Sequence, residues 1–94
     1  MSPAATLTPQ LGQEGWALAA DGNAIAKEFR FAAFADAMTF MMRVGFEAER
    51  MDHHPEWTNV YNRVSVRLTT HDTGGLTQKD IALAQAMEKL SPQP

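Results

Sequence analysis

The stretch AFADAMTFMMRVGFEAERMD, residues 33–52, decides the fold. Phe34, Ala37, Met38, Met41, Val44, Gly45, Ala48 and Met51 recur at steps of three, one, three, three, one, three and three. That spacing predicts a long helix with one core-facing stripe. Phe40, Met42 and Phe46 lie off the stripe and give the helix a second apolar surface. Two readings of that surface stand side by side: a broad core face, or a contact with another subunit, since exposed apolar patches mark partners.

Downstream the chain reads DHHPEW, residues 52–57. The helix must stop near His53, because a residue before proline is driven out of the helical region and His54 precedes Pro55. Residues 57–61 read as a short strand and Asn62-Arg63 as its turn. Val64, Val66 and Leu68 then alternate with Ser65, Arg67 and Thr69, which predicts a half-buried strand. Residues 70–75 form a loop. Thr77 caps a last helix with Asp80 in its first turn, and Ile81, Ala84, Met87 and Leu90 line its apolar face, supported by Leu83 and Ala86.

Upstream, Thr8-Pro9 starts a short helix that Gly12 and Gly15 limit. Trp16-Ala17-Leu18-Ala19 is a strand candidate, and Asp21-Gly22 is a hairpin signal because such turns need positive φ. From Ile25 the chain alternates, with Ile25, Lys27, Phe29 and Phe31 on one face. Lys27 interrupts that apolar face, which suits an edge strand. A hairpin-helix unit thus occurs twice, with Trp16 and Trp57, and Ile25 and Val66, at the same offset of 41. The expectation is an α+β fold in which helices cover one face of an antiparallel sheet.

Ninety-four residues make one domain, 1–94, with residues 1–6 and 91–94 as disordered tails. A core this small favours association. A net charge of -3 argues against nucleic acid and anionic membranes as partners. The absence of cysteine excludes disulfides, thiolate nucleophiles and cysteine metal sites. The first ten residues hold no basic residue and no apolar core, so no signal peptide is expected there, and no apolar run matches a membrane span; the expected compartment is the cytoplasm.

The chain has three histidines, His53, His54 and His71. Imidazole titrates near neutral pH and is the natural group for proton transfer. Adjacent His53 and His54 do not share one side of the chain, so joint metal ligation is not expected. Their bland reading is a helix C-terminal residue favoured by the dipole and a residue that precedes a turn. His71, at the end of a strand, shifts the balance towards function. Glu49 lies one turn before His53 and can face the same side; otherwise it is a solvated charge. Asp52 can orient an imidazole, accept a ligand N–H, or be surface charge. Asp80 has two readings of equal weight, a site carboxylate or a helix-start acid. Trp57 can stack on a flat heteroaromatic ring or belong to the core. Thr69, Thr70 and Asp72 flank His71 with polar groups.

Glu49, His53-His54-Pro55, Tyr61, His71 and Asp80, at these separations, resemble the signature of the pterin-4a-carbinolamine dehydratases, and the resemblance runs from about Trp16 to Leu90. It implies a four-stranded antiparallel sheet with two long helices and a short N-terminal helix on one face. It also implies dehydration of 4a-hydroxytetrahydropterin to quinonoid dihydropterin, in tetrahydrobiopterin recycling. His53, His54 and His71 would transfer protons, with His54 and His71 dominant and His53 assisting. Glu49, Asp52, Thr69, Thr70, Asp72 and Asp80 would line the substrate site, with Pro55 and Trp57 shaping it. Family members work as homodimers or homotetramers, without metal or organic cofactor. The sequence departs from the family before Trp16, where the longer, charged first helix is reduced to residues 8–14. Two other readings stand beside this one: a non-catalytic dimerisation or interaction module like a transcriptional coactivator, and a metal-dependent hydrolase using the same histidines.

The second apolar surface of the helix and the small size of the domain generate the first prediction. Light scattering at micromolar concentration is expected to give a dimer or larger particle; a particle of one chain's mass would count against it.

Overall fold

The computed structural model describes residues 6–70 and 75–91 of the chain. The seven elements are α1 (Pro9–Gln13), β1 (Ala17–Leu18), β2 (Ile25–Arg30), α2 (Phe34–Met51), β3 (Glu56–Val60), β4 (Arg63–Leu68) and α3 (Gln78–Leu90). The strands form one antiparallel sheet in the order β1-β2-β4-β3, covered by the helices on one face, which is the α+β architecture expected. Each hairpin places its second strand at the centre, as two copies of a hairpin-helix unit related by an approximate two-fold axis would. The expected tails, residues 1–6 and 91–94, lie outside the described residues apart from Thr6 and Ser91.

Local chemistry explains the boundaries. Thr8 caps α1, its side chain accepting from Leu11 N at 3.2 Å, and Pro9 sits in the first turn. Gly15, at φ 107°, turns the chain out of α1 in a region side chains avoid. In the first hairpin Gly22 supplies φ 74°, and Asp21 Oδ1 accepts from Asn23 N at 2.9 Å. The second hairpin turns at Tyr61-Asn62 rather than at Asn62-Arg63. Arg63 already pairs with Val60 and with Arg30 across the sheet, and Tyr61 takes the positive φ, 51°. Asn62 fixes the register by donating its side-chain amide to Phe31 O at 2.8 Å.

Ile25, Phe29, Val64, Val66 and Leu68 turn inward and are buried, while Glu28, Arg30 and Ser65 of the same strands stay exposed. Lys27 shares the inner face, yet β2 is a central strand and not an edge. The charge is tolerated there because its amine has partners. Lys27 Nζ donates to Glu88 Oε2 at 2.5 Å and to Glu14 O at 2.6 Å, and it lies 4.4 Å from the centre of the Phe29 ring. Glu88 Oε2 also accepts from the buried Trp16 Nε1 at 2.9 Å.

The buried side of α2 is Ala37, Phe40, Val44 and Ala48, so Phe40 belongs to the core and not to the second surface. Phe34 and Met38, expected inside, are exposed. The reason is the width of the apolar arc. It exceeds what one sheet can cover, so its midpoint is not the buried midline. The helix is rotated to seat its largest inward ring, Phe40, at 4.7 Å from Phe29 and 5.1 Å from Phe31. What remains outside is a row at every fourth position: Phe34, Met38, Met42 and Phe46. No helix among the described residues is long and apolar enough to cross a membrane.

Phe40 is 2% exposed and joins α2 to the rings of Phe29 in β2 and Phe31 just after it. Phe40→Ala should therefore lower unfolding free energy by about 3–5 kcal/mol, measured from urea denaturation midpoints. A loss below about 1 kcal/mol would mean that the ring is not a core anchor.

Candidate functional site

The site is built at the C-terminal end of α2, where the chain reverses. Asp52 occupies the left-handed region, φ 53° and ψ 44°. Its N–H donates to Glu49 O at 3.1 Å, and His53 N donates to Ala48 O at 3.0 Å. These are the two bonds of a Schellman ending, in which the left-handed position is usually glycine and sometimes another residue with a short polar side chain. The reversal takes the chain out of the helix at His53. His54, one residue on, enters the extended segment that leads through Pro55 into β3. The two imidazoles therefore diverge, as adjacent residues at a helix end must.

His53 is buried, 9% exposed, and its Nε2 lies 2.6 Å from Oδ1 of Asp80, which is fully buried. The other oxygen of Asp80, Oδ2, accepts from Thr77 N at 3.0 Å and from Thr70 Oγ1 at 2.8 Å. Thr77 Oγ1 in turn lies 2.8 Å from Thr70 Oγ1. Thr77 and Asp80 form a capping box at the start of α3, the threonine side chain and the acid three residues on each satisfying a backbone N–H. The helix-start role and the site role of Asp80 are thus not rivals. One carboxylate closes the first turn of α3 and, through its second oxygen, holds the imidazole at the end of α2. Among the described residues, every side-chain nitrogen or oxygen that is itself shut off from solvent has a partner.

The other expected site residues have different surroundings. His54 Nε2 lies 2.8 Å from Glu49 Oε1, with the two side chains 60% and 79% exposed. Asp52 is exposed at its left-handed position, and Pro55 and Trp57 are half-buried, Trp57 packing against the core cluster. Thr69 Oγ1 donates to Asn23 O at 2.7 Å, tying β4 to the first hairpin. Thr70 is buried and directs its hydroxyl to Asp80. His71 and Asp72 lie outside the described residues, between Thr70 and Gly75. Thr70 and Gly75 exchange reciprocal backbone hydrogen bonds of 3.1 and 3.3 Å. Thr77 was legible only as a cap; the spacing Thr77-x-x-Asp80 was the signal that cap and site share a residue. Among the described residues no three His, Cys, Asp or Glu side chains converge as they would on a metal ion.

Chemically, the arrangement presents one imidazole whose orientation is set by a buried carboxylate and a second that is open to water. Such a pair suits proton transfer to and from a small molecule held over the end of α2.

Residues 2–90 match the model of the family described as pterin 4 alpha carbinolamine dehydratase. A Rhizobium meliloti (strain 1021) protein named "Putative pterin-4-alpha-carbinolamine dehydratase" is 57% identical over 76 residues, covering 81% of this chain and 73% of that protein. A protein of Rhizobium rhizogenes with the same name is 51% identical over 89 residues, covering 95% of this chain and 88% of its own. The crystal structure described as a transcriptional coactivator/pterin dehydratase from Brucella melitensis superimposes with a TM-score of 0.82 at 38% identity, covering 94% of this chain and 100% of that one. A pterin dehydratase-like protein described as a RuBisCO assembly factor in the alpha-carboxysome superimposes with a TM-score of 0.72 at 17% identity, a likeness of fold alone, over 85% of this chain and 93% of that one.

Two acids of the site should behave differently when removed. Asp80→Ala strands a buried imidazole and a buried backbone N–H, and should cost about 3–5 kcal/mol of unfolding free energy. Glu49→Ala breaks a pair in solvent and should cost under about 1 kcal/mol. Denaturant unfolding of the two variants side by side checks this; equal losses would contradict the assignment of Asp80 as the anchoring group.

Proposed function

The chain belongs to the pterin 4 alpha carbinolamine dehydratase family, and from that membership we propose that it dehydrates a 4a-hydroxytetrahydropterin to the quinonoid dihydropterin, as a hydro-lyase of tetrahydrobiopterin recycling in the cytoplasm. In this reaction the bond from C4a to the hydroxyl oxygen breaks as that oxygen is protonated and leaves as water. A proton is lost from the adjacent ring nitrogen, whose electron pair closes the new double bond to C4a. The enzyme has to supply one acid and one base, placed on a flat substrate. No organic cofactor and no metal enters the proposed reaction.

The observation that carries this reading is the 2.6 Å contact between His53 Nε2 and the fully buried Asp80, beside a second imidazole, His54, paired with Glu49 in solvent. His53, His54 and His71 are the proposed proton-transfer groups. His53 takes a larger share than the assisting part expected from sequence, because a buried carboxylate holds its ring in one orientation and so lowers the cost of reaching the reactive geometry. Glu49, Asp52, Pro55, Trp57, Thr69 and Asp72 are the proposed pterin-binding residues. Thr70 and Asp80 support the imidazole from behind.

The exposed row of Phe34, Met38, Met42 and Phe46 favours assembly as a homodimer or homotetramer. The same row supports a second reading, a non-catalytic interaction module, for which the Brucella melitensis structure described as transcriptional coactivator/pterin dehydratase is a precedent. Turnover separates the two.

Stopped-flow dehydration of freshly generated 4a-hydroxytetrahydropterin is the test. His53→Ala, His54→Ala and His71→Ala should each lower kcat/KM at least about tenfold, or about 1.4 kcal/mol of transition-state stabilisation. A double variant should lose less than the sum of the singles if both groups act in one step. Variants that are folded by circular dichroism and turn over at the wild-type rate would remove the histidines from the reaction, and the enzyme reading with them.

A further inference from the structure

The hydroxyls around Asp80 form a chain whose direction can be worked out. A carboxylate only accepts hydrogen bonds, and a threonine hydroxyl has a single proton to donate. Thr70 Oγ1 lies 2.8 Å from Asp80 Oδ2, so Thr70 donates there. Its proton being engaged, Thr70 can only accept at its 2.8 Å contact with Thr77 Oγ1, so Thr77 donates to Thr70. Thr77 Oγ1 accepts from Lys79 N at 3.3 Å, and Thr77 N donates to Asp80 Oδ2 at 3.0 Å. The order is therefore Lys79 N–H to Thr77, Thr77 to Thr70, Thr70 to Asp80. Asp80 Oδ1 is left to accept from His53 Nε2–H at 2.6 Å.

Two consequences follow. The neutral imidazole of His53 carries its proton on Nε2, and its lone pair sits on Nδ1, which has no hydrogen-bond partner among the described residues. And the hydroxyl of Thr77 does more than cap α3. A cap needs only an accepting oxygen; here the O–H is also a donor, in a network where Thr77 and Asp80 are fully buried and Thr70 is 6% exposed. Water cannot replace a lost donor in such a place without room being made for it.

We propose that Thr77 is a positioning residue for the reaction, acting through Thr70 and Asp80 to hold His53 with its Nδ1 presented to the substrate. This rests on the reading of His53 as a proton-transfer group. The network joins His53 just after α2, Thr70 just after β4, and Thr77 and Asp80 at the start of α3, so loss of the Thr77 hydroxyl removes one of the hydrogen bonds that fix the Thr70 hydroxyl on Asp80 and loosens the hold of Asp80 on the imidazole. The effect is on the geometry of the chemical step and not on substrate binding.

Two measurements test it. Long-range proton–nitrogen NMR of uniformly 15N-labelled protein, with the His53 signals assigned from His53→Ala, reads the tautomer directly. The wild-type neutral ring is expected to be protonated on Nε2; protonation on Nδ1 would overturn the proposal whether or not the enzyme turns over. In stopped-flow dehydration, Thr77→Val, which keeps the shape and deletes the hydroxyl, should lower kcat about tenfold with KM within about twofold, and Thr77→Ser should restore kcat to within about threefold. A raised KM at unchanged kcat would make Thr77 a binding residue and overturn the proposal, as would a Thr77→Ser variant as slow as Thr77→Val. If Thr77→Val does not fold, the wild-type tautomer and Thr77→Ser still decide. A wild-type rate for His53→Ala would instead sink the catalytic reading of His53, and the tautomer would separate that failure from this one.

Discussion

A carboxylate without solvent cannot be left partly satisfied, and Asp80 is the constraint around which this molecule closes. Both of its oxygens are filled, one by an imidazole and the other by a backbone N–H and a hydroxyl. Those donors come from the end of α2, the start of α3 and the residue just after β4. The cost of burying the charge is offset only when all three arrive together. The condition that makes the acid tolerable is therefore also the condition that assembles the site. A single misplaced donor would leave the pair worse than an apolar contact of the same size.

The sheet provides the frame for this meeting. β2 and β4 pair at the centre along their whole length, from Ile25 opposite Leu68 to Arg30 opposite Arg63. Each strand carries its inward residues to the same layer, where Phe29 and Phe31 meet Phe40 from α2. The end of β4 then delivers Thr70 beside the helix ends. The rigidity of a paired central strand sets where that hydroxyl stands, which a free loop would not.

How much of this could be read from the chain depends on the kind of information involved. The period of α2, the two hairpins and the alternation of Val64, Val66 and Leu68 are local patterns, and they placed the elements and their order. The divergence of His53 and His54 was also legible, since Pro55 fixes where the helix ends. Which side of α2 is buried was not. Apolar residues spread over too wide an arc, and only the packing of Phe40 against Phe29 and Phe31 chose among them. The central position of β2 was hidden because Lys27 looked like an edge device; its partners, Glu88 and the Glu14 carbonyl, are distant in sequence. The two readings of Asp80 could not be separated for a similar reason. A capping box is visible at a spacing of three, whereas the contact from His53 spans 27 residues.

Lys27 has one more effect, on how the molecule opens. A helix of five residues such as α1 has no stability of its own, because nucleation costs more than so few turns return. Its last turn is held by Lys27 donating to Glu14 O, and the same ammonium holds Glu88 near the end of α3, where Trp16 also binds. The beginning of the described chain and its end are thus clasped by one side chain of a central strand. Fraying at either end removes a ligand from a nearly buried cation, so the two ends resist independent local opening and form a single cooperative unit. The stability of the described N-terminal part is in that sense borrowed from α3, the helix whose other end holds Asp80.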